Sequence, residues 1–156
     1  MSVKPVPDRY HTATPYLTIK DASKAIDFYK EAFGATELFR MPGPAGRIMH
    51  AEIKIGDSPV MLADEFPEMD ARGPQALGGT PVGLCIYVEN VDALFDRAVT
   101  AGAKVLRPVV DQFYGDRSGT VADPFGHKWT IATHKEDVPP EEMKRRMAAM
   151  KPEGCG

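Results

Sequence analysis

The chain has 156 residues, a formal net charge of −3 at pH 7 and 43% apolar residues, the make-up of one ordinary globular domain or of two small modules sharing a core. The slight acidity argues against nucleic-acid binding, which calls for a basic patch or stripe, and no apolar run approaches the roughly 18 residues of a membrane-spanning helix. The opening MSVKPVPDRYHTATP lacks the apolar stretch of a secretory signal, so the expected location is cytoplasmic, with no membrane partner.

Taken in chain order, the strongest feature is an internal repeat. PYLTIKDASKAIDFYKEAFGAT, from Pro15 to Thr36, and VGLCIYVENVDALFDRAVTAGAK, from Val82 to Lys104, both run strand, Asx residue, amphipathic helix, glycine and new strand. Leu17 and Ile19 correspond to Ile86 and Val88, Asp21 to Asn90, and Gly34 to Gly102. In the first copy Tyr16 and Thr18 alternate with Leu17 and Ile19, the period of a half-buried strand. Asp21 is placed to cap the following helix with its carboxylate. Ala22, Ala25, Ile26, Tyr29 and Phe33 form one apolar helical stripe, and Gly34 ends it in a left-handed conformation. Strands are expected at 36–40, 47–55 and 60–63, divided by MPGPAG and GDSP. A connector, about 65–80, reads as an irregular loop. The second copy predicts a strand at 84–88, a helix at 91–101, and strands at 104–108, 119–123 and 128–133. After it, two prolines and two glutamates start a C-terminal helix at about 139–150. Met143, Met147 and Met150 line one side of that helix, either docked on the body or a partner or forming a ligand-binding face.

The whole chain thus reads as a single α+β domain: module 1 at about 12–64, module 2 at about 81–134, and the tail helix. With no export signal, a disulfide between Cys85 and Cys155 is not expected. Cys85 reads as a small buried hydrophobe and Cys155 as an exposed thiol without a role.

The paired modules, together with the strings DASKAIDFYKEAFGA and DPFGHKW, resemble the vicinal-oxygen-chelate superfamily of glyoxalases, extradiol dioxygenases and bleomycin- and fosfomycin-resistance proteins. GRIMHAEIKIGD, GGTP and FYGDRSGTVADPFGHKW resemble its PhnB-like branch. The resemblance spans about 12–142 and implies a mixed sheet in each module curling into half a cup, with helices outside and ligand inside. Leu84, Ile86, Val88, Trp129 and Ile131 then pack outward, and Thr14, Tyr16, Thr18, Gly83, Cys85, Tyr87, Lys128 and Thr130 look inward.

Enzymes of that superfamily hold a divalent metal with His and Glu from four strands. Those positions fall here near Thr14, Met61, Gly83 and Thr130, whose side chains do not make a site for a hard or borderline divalent ion. No metal and no cofactor is therefore expected. His50 and Glu52, two apart and hence on one strand face, are the candidate replacement: a polar pair lining a pocket, a relocated metal site, or a structural pair with Lys54 or a nearby arginine. His127 is expected to brace the turn after DPFG, where Asp123 serves turn chemistry. Tyr114, Gly115, Asp116 and Arg117 are read as a turn, either with Asp116 and Arg117 paired or with Tyr114 and Arg117 orienting an anionic or carbonyl-bearing ligand.

The leading expectation is a metal-independent small-molecule-binding protein. Its ligand is lined by Tyr16, His50, Glu52, Met61, Cys85, Tyr87, Tyr114, Arg117 and Thr130. The alternative is a lyase, isomerase or dioxygenase-like enzyme using His50 and Glu52 as acid–base pair or relocated metal site. Either way, the resemblance implies a homodimer.

Overall fold

The computed structural model describes residues 2–150; Cys155 lies outside them. The elements are β1 (Tyr16–Ile19), α1 (Ala22–Phe33), β2 (Thr36–Pro42), β3 (Ile48–Ile55), β4 (Ser58–Asp64), α2 (Pro74–Leu77), β5 (Gly83–Tyr87), α3 (Val91–Ala101), β6 (Lys104–Asp111), β7 (Asp116–Ala122), β8 (Lys128–His134) and α4 (Pro140–Ala149). The β-α-β-β-β order recurs as read, and the fold is α+β with two four-stranded mixed sheets, ordered β1-β4-β3-β2 and β5-β8-β7-β6. Register repeats as well: Leu17 stands opposite Leu62 where Ile86 stands opposite Ile131.

One face of each sheet packs on the helices and the other is open. Alternation decides which. Leu17, Ile19, Ala51, Ile53 and Leu62 on the first sheet, with Val121, Trp129 and Ile131 on the second, join one continuous core. Every residue of the predicted α1 stripe is buried, and Phe28 and Ala32 are buried too. The stripe is wider than a single sheet requires because α1 also meets the second module: Phe28 lies edge-on to Phe125 at 6.2 Å and Phe33 packs on Trp129 at 4.9 Å.

Asp123 fastens this joint. Its Oδ1 accepts the backbone N–H groups of Phe125 (2.9 Å) and His127 (3.0 Å), the turn chemistry read from DPFG. Its Oδ2 accepts the Tyr29 hydroxyl (2.5 Å) and the Trp129 indole N–H (2.9 Å). His127 braces more than its own turn, since its Nε2 donates to the Thr18 carbonyl at 3.1 Å.

Three expectations are corrected. Asp21 does not cap α1: it is left-handed (φ 71°) and makes no side-chain cap bond. Asp64, at the end of β4, accepts from Ala22 N–H (2.8 Å) and Ile48 N–H (2.6 Å) instead. Parallel pairing of β1 with β4 sets Ile19 opposite Asp64 and so delivers that carboxylate to the helix start. In module 2, Asn90 caps as its type predicts, accepting from Ala93 N–H at 3.1 Å, and Thr133 accepts from Val91 N–H at 2.9 Å. The connector is not wholly irregular, holding a turn of 3-10 helix (Pro67–Met69) and α2, both opened by proline. The turn read at 114–117 lies earlier in the chain, with Asp116 and Arg117 already in β7. The C-terminal helix forms as read, as α4, and it buries no residue on the body, one of the alternatives for its methionines. Met147 and Met150 are exposed, and Arg146 ties the helix to the Phe113 carbonyl (3.1 Å) and to Glu136 (2.5 Å).

Candidate functional site

Each open face carries a polar network, and the two are chemically different. On the first sheet, pairing sets Tyr16, Met61, Glu52 and Phe39 in one row across β1, β4, β3 and β2. Met41 faces His50 in the next row. Within this face the Tyr16 hydroxyl lies 2.9 Å from His50 Nδ1, and His50 Nε2 lies 3.2 Å from Glu52 Oε1. The Tyr10 hydroxyl, from the segment preceding β1, also bonds Glu52 Oε1, and Arg9 stands 3.7 Å from Oε2.

Glu52 is only 4% exposed. Burial alone raises its pKa, yet the hydrogen bonds from Tyr10 and His50 and the charge of Arg9 together hold it below the usual carboxylate range. An ionised Glu52 requires Nε2 of His50 to donate, which leaves Nδ1 to accept from Tyr16. Burial in turn raises the Tyr16 phenol. Glu52 Oε2, buried, has no hydrogen-bond partner.

On the second sheet, Cys85, Thr130, Thr120 and Arg107 form the matching row, with the two threonine hydroxyls 2.9 Å apart. Further along, Asp116 accepts from the Tyr87 hydroxyl (2.7 Å) and from His134 Nδ1 (2.7 Å), while His134 Nε2 reaches Asp137 at 2.8 Å. The hydrogen bond to Asp116 helps push the Tyr87 phenol up to about 12. Hydrogen bonds to Asp116 and Asp137 raise the His134 imidazole. Burial raises the Asp116 carboxyl, but bonds from His134 and Tyr87 outweigh it and keep it low.

The structure therefore gathers Tyr16, His50, Glu52 and Met61 on one open face and Cys85, Tyr87 and Thr130 on the other. Cys85 is exposed, not the buried hydrophobe expected, because Leu84 and Ile86 take the helix-facing positions of β5. Tyr114 sits in the loop before β7, edge-on to Phe113. Arg117 does not pair with Asp116. It forks onto Asp92 of α3 (both contacts 2.9 Å) and reaches Asp111 at 3.2 Å, so its donors are already committed to acidic side chains. Phe39, Met41 and His134 belong to the faces although the sequence did not single them out, and Asp116, read as a turn residue, belongs to the second face as well. Strand parity alone could have found them. Arg9 and Tyr10 lie outside every strand and had no such signal.

The four positions where the fold family places metal ligands offer Thr14, Met61, Gly83 and Thr130, which do not fit a divalent ion. Among the described residues no three His, Cys, Asp or Glu side chains converge on a common point. A cavity of about 580 Å³ runs beside β5, touching Cys85, Tyr87, Leu84, Trp129, His11 and Pro59 but neither His50 nor Glu52.

Residues 10–131 match the family described as the Glyoxalase/Bleomycin resistance protein/Dioxygenase superfamily. The chain belongs to that superfamily. Among its glyoxalase-superfamily relatives is an uncharacterized protein of Mycobacterium tuberculosis, 46% identical over 146 residues, 92% of this chain and 84% of that one. TioX from Micromonospora sp. ML1 has a similar structure (TM-score 0.63, 28% identity, 78% of this chain and 98% of that one). PhnB protein from Bacillus cereus shares the fold at 17% identity (TM-score 0.61, 79% of this chain and 99% of that one). No helix of the described residues is long and apolar enough to cross a membrane.

Proposed function

We propose that this superfamily member binds a small organic molecule against its open sheet faces, without a divalent metal, and acts as a homodimer. The observation that carries the reading is the pair of open faces, each with half-exposed rings beside a buried, ordered carboxylate: Tyr16 and Phe39 near Glu52, and Tyr87 on Asp116. Apolar surface with a few fixed polar groups is how proteins hold drug-sized ligands. Exposed Leu38, Leu106 and Val110 are left uncovered by the single chain, which supports a second copy as their cover. The absence of suitable donors at the family's metal positions supports metal independence.

Screening an aromatic-rich compound library while following the Tyr16 and Tyr87 ring signals by NMR tests the reading. Perturbation of both faces by one compound is expected, and a screen that moves neither overturns it. Metal analysis after incubation with zinc, nickel, manganese and iron is expected to find far less than one equivalent. Sedimentation at micromolar concentration is expected to show a dimer.

A second reading, acid–base chemistry at His50 and Glu52, is favoured by the Glu52–His50–Tyr16 chain of hydrogen bonds. Both ring nitrogens of His50 are engaged, so in this arrangement the Tyr16 oxygen, its proton donated to Nδ1, presents an acceptor to the open face and can take a substrate proton as it passes its own to His50.

A further inference from the structure

We infer that Glu52 anchors an organic cation carried next to an aromatic ring, and that Arg9 and Tyr10 hold that place in the free chain. The inference rests on the small-molecule reading and names the ligand chemistry of one face.

Glu52 Oε2 is the buried side-chain oxygen or nitrogen left without a hydrogen-bond partner among the described residues. An unsatisfied buried polar atom carries a desolvation cost that nothing offsets, larger when it is charged, so such an atom commonly marks a missing partner. Arg9 supplies only a distant charge at 3.7 Å, too long for a hydrogen bond. The same guanidinium lies 4.9 Å from the centre of the Tyr10 ring. The carboxylate is therefore covered by a cation riding on an aromatic ring, presented by a stretch that belongs to no helix or strand.

That stretch is lightly held. Residues 2–15 place no buried residue in the core. Their other side-chain hydrogen bonds, Lys4 to Asp8 and Thr14 to the His11 carbonyl, stay within the segment. A competing cation therefore displaces little. It gains a direct bond to Oε2, and the Tyr16 and Phe39 rings in the same row offer faces on which an aromatic cation can stack. An anion arriving there meets the Glu52 charge, although Lys54, also on β3, tempers the repulsion on the Asp8 and Asp57 side.

Tyramine and 3-(4-hydroxyphenyl)propionate, one ring with opposite charges, are the probes, titrated into the full chain and followed at the Tyr16 and Phe39 ring signals. In an Arg9→Ala/Tyr10→Ala variant, tyramine should bind about tenfold more tightly than in the wild type and about tenfold more tightly than the propionate, a factor worth about 1.4 kcal/mol. Adding Glu52→Gln, which keeps the side-chain shape, should bring the two probes level. Equal binding of both probes before that change, or a cation preference that survives it, overturns the Glu52 anchor while leaving the small-molecule reading standing. No shift with either probe in the double variant also overturns it, and the broader reading falls with it only if the library screen leaves both faces untouched.

Discussion

The two modules differ little on the faces that pack inward and almost entirely on the faces that do not. Inward, Leu17 with Leu62 answers Ile86 with Ile131, and each helix start is tied down by a side chain on the last strand of its module, Asp64 or Thr133. Outward, the first module shows Tyr16, Phe39, Met41, Met61 and a half-satisfied Glu52, while the second shows paired threonines, exposed Cys85 and a fully bonded Asp116. The contrast follows from what each face answers to. Close packing tolerates few exchanges of volume, whereas an open face is constrained only by what it meets.

The shared core is where the contrast breaks most violently. Asp123→Ala strips partners from two buried ring donors and two backbone donors at once. It should cost about 4 kcal/mol by the sum of such losses, read as a drop in the urea midpoint with both modules unfolding together. The equivalent helix ties come next and should differ from each other. Asp64→Ala, losing charge-assisted bonds to two backbone donors, should cost about 2–3 kcal/mol, against about 1 kcal/mol for Thr133→Val. Equal losses in urea unfolding would show that the carboxylate adds nothing to the tie.

Glu52→Gln should change stability by less than about 1 kcal/mol, because removing a buried charge offsets the weakened bonds. The second module's network is a subtler test, through pH. The folded pKa of His134 is raised, so its contribution is complete below an unfolded value of about 6.5 and fades as pH rises through the folded value. Asp116 runs the other way, complete above about 3.9 and lost as pH falls through its lowered value. The wild-type denaturation midpoint should therefore decline as pH rises from about 6.5 through the raised folded value of His134, and His134→Gln should flatten that slope. Smallest of all, Arg117→Met should leave ligand binding at both faces unchanged, since its guanidinium is committed to Asp92 and Asp111.

The repeat, the α1 stripe, the Asn90 cap and the His50–Glu52 pairing were legible in the sequence because each depends on neighbours within a few residues. The Asp64 tie was not. It needs the register of β1 against β4, which no local pattern contains. The same holds for Tyr10 on Glu52, where a segment without periodicity meets a strand far along the chain. Arg117 shows the converse error: a residue type suited to binding anions, in a loop-like string, already has its fork filled by acidic side chains that only the fold brings near.

Trp129 is the one tryptophan in the chain, fully buried and set against Tyr29 and Phe33 at the seam between modules. Its emission is thus a built-in gauge of whether the halves are joined, and its ring also borders the cavity beside β5 that touches Cys85 and Tyr87. Intrinsic fluorescence should follow unfolding faithfully, and should respond to a ligand only where that ligand enters the cavity beside β5, so the same signal separates occupants of that cavity from those lying on the first module's face.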